Sequence, residues 1–230
     1  MGQWLTPVLR RIGDWNLKRA PFILVVTALL AIDLIPHIPA IEVDTDFLSY
    51  FGEEAPIIKA KNKLTKHLAG SAPFFVVVDG HYPRAFENPR MMHKLEEFES
   101  FITAQKGVDT TISPADYVKL TNRATYGNDP DYYKIPDTRQ GVGSLLESLS
   151  STPEILEPYL NEERSIANIL VRTRIVGSKD TLELADKVHE WAKKNFPEAS
   201  VRMTGTLYLL NKSADKVSRG QVESLSLIHI

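Results

Sequence analysis

Residues 20–41 read APFILVVTALLAIDLIPHIPAI, and no other stretch constrains the fold of the chain as strongly. Wound as a helix, these 22 residues would be roughly 33 Å long at about 1.5 Å per residue, against a hydrocarbon core of about 30 Å. The run predicts a transmembrane helix. Its first part is uninterrupted, and then come Asp33, Pro36, His37 and Pro39. A charge near the end of a span can reach the interface, and the prolines mark where the helix loosens. Two other readings stay open. One is a buried helix in a soluble protein. The other is a cleaved signal peptide, which asks for a short apolar core and a small-residue cleavage site. Residues 36–40 (PHIPA) match such a site poorly.

The flanks set an orientation. Arg10, Arg11, Lys18 and Arg19 precede the run, and no lysine or arginine follows it until Lys59. The positive-inside rule then places residues 1–19 in the cytoplasm and the bulk of the chain outside. Trp4, Leu5, Val8, Leu9, Ile12 and Trp15 recur at helical spacing, so the leader reads as a short amphipathic helix on the inner membrane surface, with a frayed polar leader as the alternative. With 27 basic and 29 acidic residues the chain carries no nucleic-acid footprint. It has no cysteine, so its exterior part must rely on its own core rather than on disulfides.

That exterior part, residues 42–205, alternates between helix and strand patterns. Residues 56–68 form a helix with Ile57, Leu64 and Leu68 on one side, stopped by Gly70. Residues 73–79 (PFFVVVD) read as a central strand. Asn88-Pro89 caps a helix whose stripe is Met91, Leu95, Phe98 and Ile102, and Gly107 ends it before a strand over 108–112. The pattern then repeats. Residues 165–176 are strand-like, with a helical alternative. Residues 180–183 (DTLE) resemble a capping box, with Leu182, Ala185, Val188 and Ala192 facing inward, and a strand returns over 199–204. Two such units predict an α+β class and a ferredoxin-like β-α-β-β-α-β sandwich. Residues 113–161 form a helical and loop insertion, long enough to suggest a groove cover or a subunit contact. A final helix over 206–230 has Leu207, Leu210, Ala214, Val217 and Gln221 on one face. It reads either as a helix docked on the domain or as the approach to a second span.

No motif places a reaction, a cofactor or a metal. None of the six histidines has ligand spacing to another. His81 near Asp79, past a strand end, reads as a turn residue before it reads as half of a catalytic pair. Asn128, Asp129 and Asp131 have oxygens but not the spacing of a calcium loop. Gly141 and Gly143 are a glycine pair with no phosphate-loop lysine after them, and Ser144 lacks a nucleophile-elbow pattern. Catalytic, cofactor and metal residues are therefore expected to be none.

The order of features resembles the RND superfamily of exporters, most closely the hydrophobe or MMPL-like branch. The resemblance rests on the basic leader and single span and on Asp44-Thr45-Asp46-Phe47. It rests also on the strand 74–79, on Thr204-Gly205 before a helix, and on Gly220-Gln221 and Ser224-Leu225. It covers residues 10–225, and residues 226–230 fit it poorly. It implies proton-driven export of hydrophobic or amphiphilic molecules, lipids among them, in a bacterial inner membrane with a periplasmic or extracellular porter domain. It implies proton-relay residues in further spans, not Asp33. The partners it implies are the remaining membrane and porter domains of the same transporter, in a monomer or an oligomer. Phe74, Phe75, Met92 and Phe98 are the candidate substrate-path residues, each with a core role as its alternative. The other function that the residues allow is a single-span anchor whose exterior domain binds an envelope lipid or a partner protein.

Overall fold

The computed structural model describes residues 5–34, 50–67, 70 and 72–228. It divides into two compact units, residues 1–43 and 44–230. In the first unit the leader and the apolar run form one continuous helix, α1 (Leu5–Leu34), with Pro21 inside it. Among the described residues no helix is long and apolar enough to cross a membrane. The described part of the expected span, residues 20–34, would be about 22 Å long, and residues 35–41 lie outside the described residues. Asp44, Thr45, Asp46 and Phe47 lie outside them as well.

The second unit is α+β. A short helix, α2 (Pro56–His67), precedes β1 (Ala72–Asp79). Then come α3 (Pro89–Thr103), β2 (Val108–Ile112), the helices α4 (Pro114–Thr125), α5 (Arg139–Ser150) and α6 (Pro153–Leu156), and β3 (Ile166–Thr173). The chain continues through α7 (Ser178–Asn195), β4 (Ser200–Thr204) and α8 (Thr206–Ile228). The four strands make one sheet in the order β2-β3-β1-β4, and each neighbouring pair is antiparallel. The expected insertion between β2 and β3 is helical, as α4, α5 and α6.

Strand alternation divides the sheet into two faces. Phe74, Val76 and Val78 of β1 and Ala167, Ile169 and Val171 of β3 are buried in one core. Leu95, Phe98 and Ile102 of α3 join it, with Leu184, Ala185 and Val188 of α7. Phe98 stacks on Trp191 at 5.0 Å between ring centroids and meets Phe196 edge-on at 6.5 Å, which ties α3 to α7. The opposite face carries half-buried Phe75, Val77, Leu170 and Ile112 beside Arg172 and Arg202.

Local chemistry explains most element ends. Asn88 caps α3 by accepting from the Arg90 N–H at 3.0 Å. Ser113 and Asp116 make a reciprocal capping box at the start of α4. The capping box expected at Asp180 is not formed. Helix α7 begins two residues earlier at Ser178 behind Gly177, whose cap has no side-chain bond, and Asp180 sits in the first turn. Buried Ser178 and the Thr181 hydroxyl, which donates to the Gly177 carbonyl at 2.7 Å, hold that turn instead. Helix α8 docks through Tyr208 and Asn211, not through Leu210 or Val217, which are exposed. The Asn211 amide donates to the Thr181 hydroxyl at 2.9 Å, so a polar contact selects the buried face of α8.

Candidate functional site

Strands β1 and β3 are antiparallel neighbours with Asp79 opposite Ile166. The loop leaving β1 and the loop entering β3 therefore lie at the same end of the sheet. The backbone zips them together: the Gly80 N–H donates to the Ser165 carbonyl, Arg84 N–H to Glu163, and Phe86 N–H to Arg164. A 3-10 turn over Ala85–Glu87 follows, fully buried, and α5 packs on it.

Glu87 stands at the centre, only 2% exposed. Arg84 donates its Nε–H to both carboxylate oxygens at 2.8 Å, and Arg164 donates from Nη1 to Oε1 at 2.7 Å. Arg139 of α5 approaches Oε2 at 4.0 Å and donates from Nη2 to the Arg84 carbonyl at 3.1 Å. Arg164 also reaches Glu147 at 2.6 Å. Burial pushes the Glu87 carboxyl up, but the hydrogen bonds and charges of Arg84 and Arg164 outweigh it and hold the group below its ordinary range. Burial pulls the Arg164 guanidinium down, and Glu147 and Glu87 more than restore it. Gly143 of α5 lies against the network, and a Cβ there would meet Glu87 Oε2 at 3.4 Å, an ordinary van der Waals contact. The arginines line a cleft of about 820 Å³ together with Gln140, Ser144 and Ser148.

A second polar cluster lies between α3, β2 and α4. Glu99, 6% exposed, accepts from the Ser113 hydroxyl at 2.5 Å. Burial, with Asp116 alongside, pushes its carboxyl up to about 7. Lys119 bridges Glu96 at 2.9 Å and Asp116 at 3.2 Å. A cleft of about 490 Å³ opens beside these groups.

The four candidate substrate-path residues separate. Phe74, Met92 and Phe98 fall together in the packed core, and Phe75 lies on the other face of the sheet, paired with Leu170 and Thr204. His81 occupies a turn, with its N–H donating to Asp79 Oδ1 at 2.9 Å and φ at 66°. The fold adds Ser200, whose hydroxyl lies 3.0 Å from His81 Nε2. His81 Nδ1 is 3.8 Å from Asp79 Oδ1, beyond hydrogen-bond reach, so the three do not make a relay. Asp129 caps a turn by accepting from the Asp131 N–H.

Sequence reading missed the Glu87 network because its members lie far apart along the chain, Arg164 being 77 residues from Glu87. No local motif joins Arg84, Glu87, Arg139 and Arg164, so the sequence carried no signal for the network. No family model matches the chain, and comparison with curated proteins finds no match.

Proposed function

We propose that the chain supplies the first span and first exterior domain of a proton-driven exporter of hydrophobic or amphiphilic molecules, resembling the RND superfamily in its hydrophobe or MMPL-like branch. One observation carries the membrane part of this reading. Phe22, Leu24, Val25, Leu29, Leu30 and Ile32 are all exposed on α1. These positions run all round the helix, and an uncovered helix that is apolar all round needs an apolar surrounding. Continued as a span through residue 41, it would reach the thickness of a bilayer.

The exterior part is supported by the strand order. An antiparallel sheet ordered β2-β3-β1-β4 with α3 and α7 on one face supports the reading of a ferredoxin-like β-α-β-β-α-β unit. Its other face, with Phe75, Val77 and Leu170 half-buried, suits a neighbouring porter domain of the same transporter. The site of action would be a bacterial inner membrane, N-terminus inside and residues 42–205 in the periplasm.

Reporters fused at residues 3 and 150 test the topology. They should report opposite sides of the membrane, with residue 150 outside, because four basic residues precede the apolar run and none closely follows it. Reporters on one side would remove the span and the exporter with it. A second reading, a single-span anchor whose exterior domain binds an envelope lipid or a partner protein, is favoured by the closed core of residues 44–230. Apolar segments of about 20 residues encoded beyond residue 230 would select the exporter.

A further inference from the structure

We propose that the cleft over Glu87 is a binding site for a phosphate group, with Arg84, Arg139 and Arg164 as its cationic wall. The site stands independently of the exporter reading.

Charge comes first. Three guanidinium groups face two carboxylates, Glu87 and Glu147, so the wall keeps one surplus positive charge. Glu87 does not neutralise it. Buried and ionised, it takes Nε of Arg84 and Nη1 of Arg164 and fixes both side chains. Arg84 and Arg139 are still more than half exposed, with guanidinium donors left for another acceptor. A carboxylate that fixes arginines beforehand lowers the ordering cost of ligand binding.

The backbone gives a second, independent argument. Arg84 and Arg164 both hold left-handed conformations, with φ of 59° and 54°. Glycine adopts that region at no steric cost, whereas a residue with a Cβ pays for it. The two loops that build the wall thus each place an arginine where glycine would fold more easily. Strain held at two converging side chains points to a use for those side chains.

The shape selects the anion. Donors come from the loops around Arg84 and Arg164 on one side. They come from Arg139, Gln140 and Ser144 of α5 on another. Donors in more than one plane suit a tetrahedral oxyanion better than a flat carboxylate, and guanidinium forks match phosphate oxygens. The cleft's volume of about 820 Å³ admits a group larger than free phosphate, so the phosphate can be inorganic or part of a lipid headgroup.

The test is calorimetric titration of the full chain in a non-ionic detergent at pH 7 and low salt. The probes are inorganic phosphate and glycerophosphoglycerol, a soluble phosphodiester headgroup. At least one should bind with a Kd of about a millimolar or tighter. Tighter binding of the diester assigns the site to a lipid headgroup, and tighter binding of the inorganic ion assigns it to free phosphate. Arg139→Gln should weaken binding at least tenfold while the far-ultraviolet circular dichroism of the folded chain is kept, since Arg139 is more than half exposed and its contacts are a 4.0 Å approach to Glu87 and one bond to the Arg84 carbonyl. Arg139→Lys should fall between the two. Arg219→Gln, on α8 and away from the cleft, should bind as the parent does. Absence of binding by both probes, or equal binding by Arg139→Gln, overturns the proposal. Neither result would alter the topology test of the exporter reading.

Discussion

Glu99 shows how burial decides the state of one side chain. Its carboxyl is pushed up from the ordinary value of 4.5 to about 7 by burial first and by Asp116 second. A raised carboxyl binds its proton more tightly in the folded chain than in the unfolded one. Its contribution to stability is therefore fully present below about pH 4.5 and is lost as pH rises through about 7. The loss between pH 5 and pH 8 should be of the order of 2–3 kcal/mol. Urea unfolding at the two pH values checks this: Glu99→Gln should flatten the difference, because the amide does not titrate. An unchanged slope in the variant would place the pH dependence elsewhere. Glu87 is the opposite case, a carboxylate also shielded from solvent but held below its ordinary range because two arginines reach it. Sequence cannot separate these two glutamates, since each gains its character from partners supplied by other elements.

Element ends carry the next level. The start of β1 depends on Gly70, whose φ is +59°, and a Cβ there would sit 2.6 Å from the Thr173 backbone nitrogen. That contact is with backbone, which cannot swing aside, and Ala72 pairs with Thr173 at the same end of the sheet. Gly70→Ala should therefore destabilise the domain by about 2 kcal/mol or more, combining left-handed strain with overpacking. Chemical denaturation would show it, and a neutral result would mean that the β1–β3 edge yields. The signals that marked β1, α3 and β2 were local: a β-branched run, Asn88-Pro89 and Gly107. The sequence places the start of α7 at Asp180 rather than Ser178 because Gly177, Ser178, Asp180 and Thr181 are all cap-type residues and local pattern does not choose among them. That turn is fixed by burial and by Asn211 of α8 on Thr181.

For the whole molecule, the division at residues 43 and 44 has a direct consequence. The second unit closes its own core around Phe74, Phe98 and Ile169, whereas the first exposes its large apolar side chains. Removing residues 1–43 should leave a protein that stays in the aqueous phase without detergent, with mixed helix and sheet by circular dichroism. The full chain should instead need detergent or lipid. A full chain equally soluble without either would show that α1 is covered by protein.

The sequence by itself determined what depends on neighbours along the chain. It determined the apolar helix, the α+β class, the two strand-helix-strand patterns and the helical insertion between them. Period, capping residues and turn residues act over a few positions, so they are legible without the fold. The tertiary structure decided which side chains meet. It buried Phe74, Met92 and Phe98 in one core and left Phe75 on the other face. It brought Arg84, Glu87, Arg139 and Arg164 to one cleft through the antiparallel register of β1 and β3 and the docking of α5. Charge, burial and backbone strain at that cleft arise from contacts between segments up to 77 residues apart, and no local pattern encodes them.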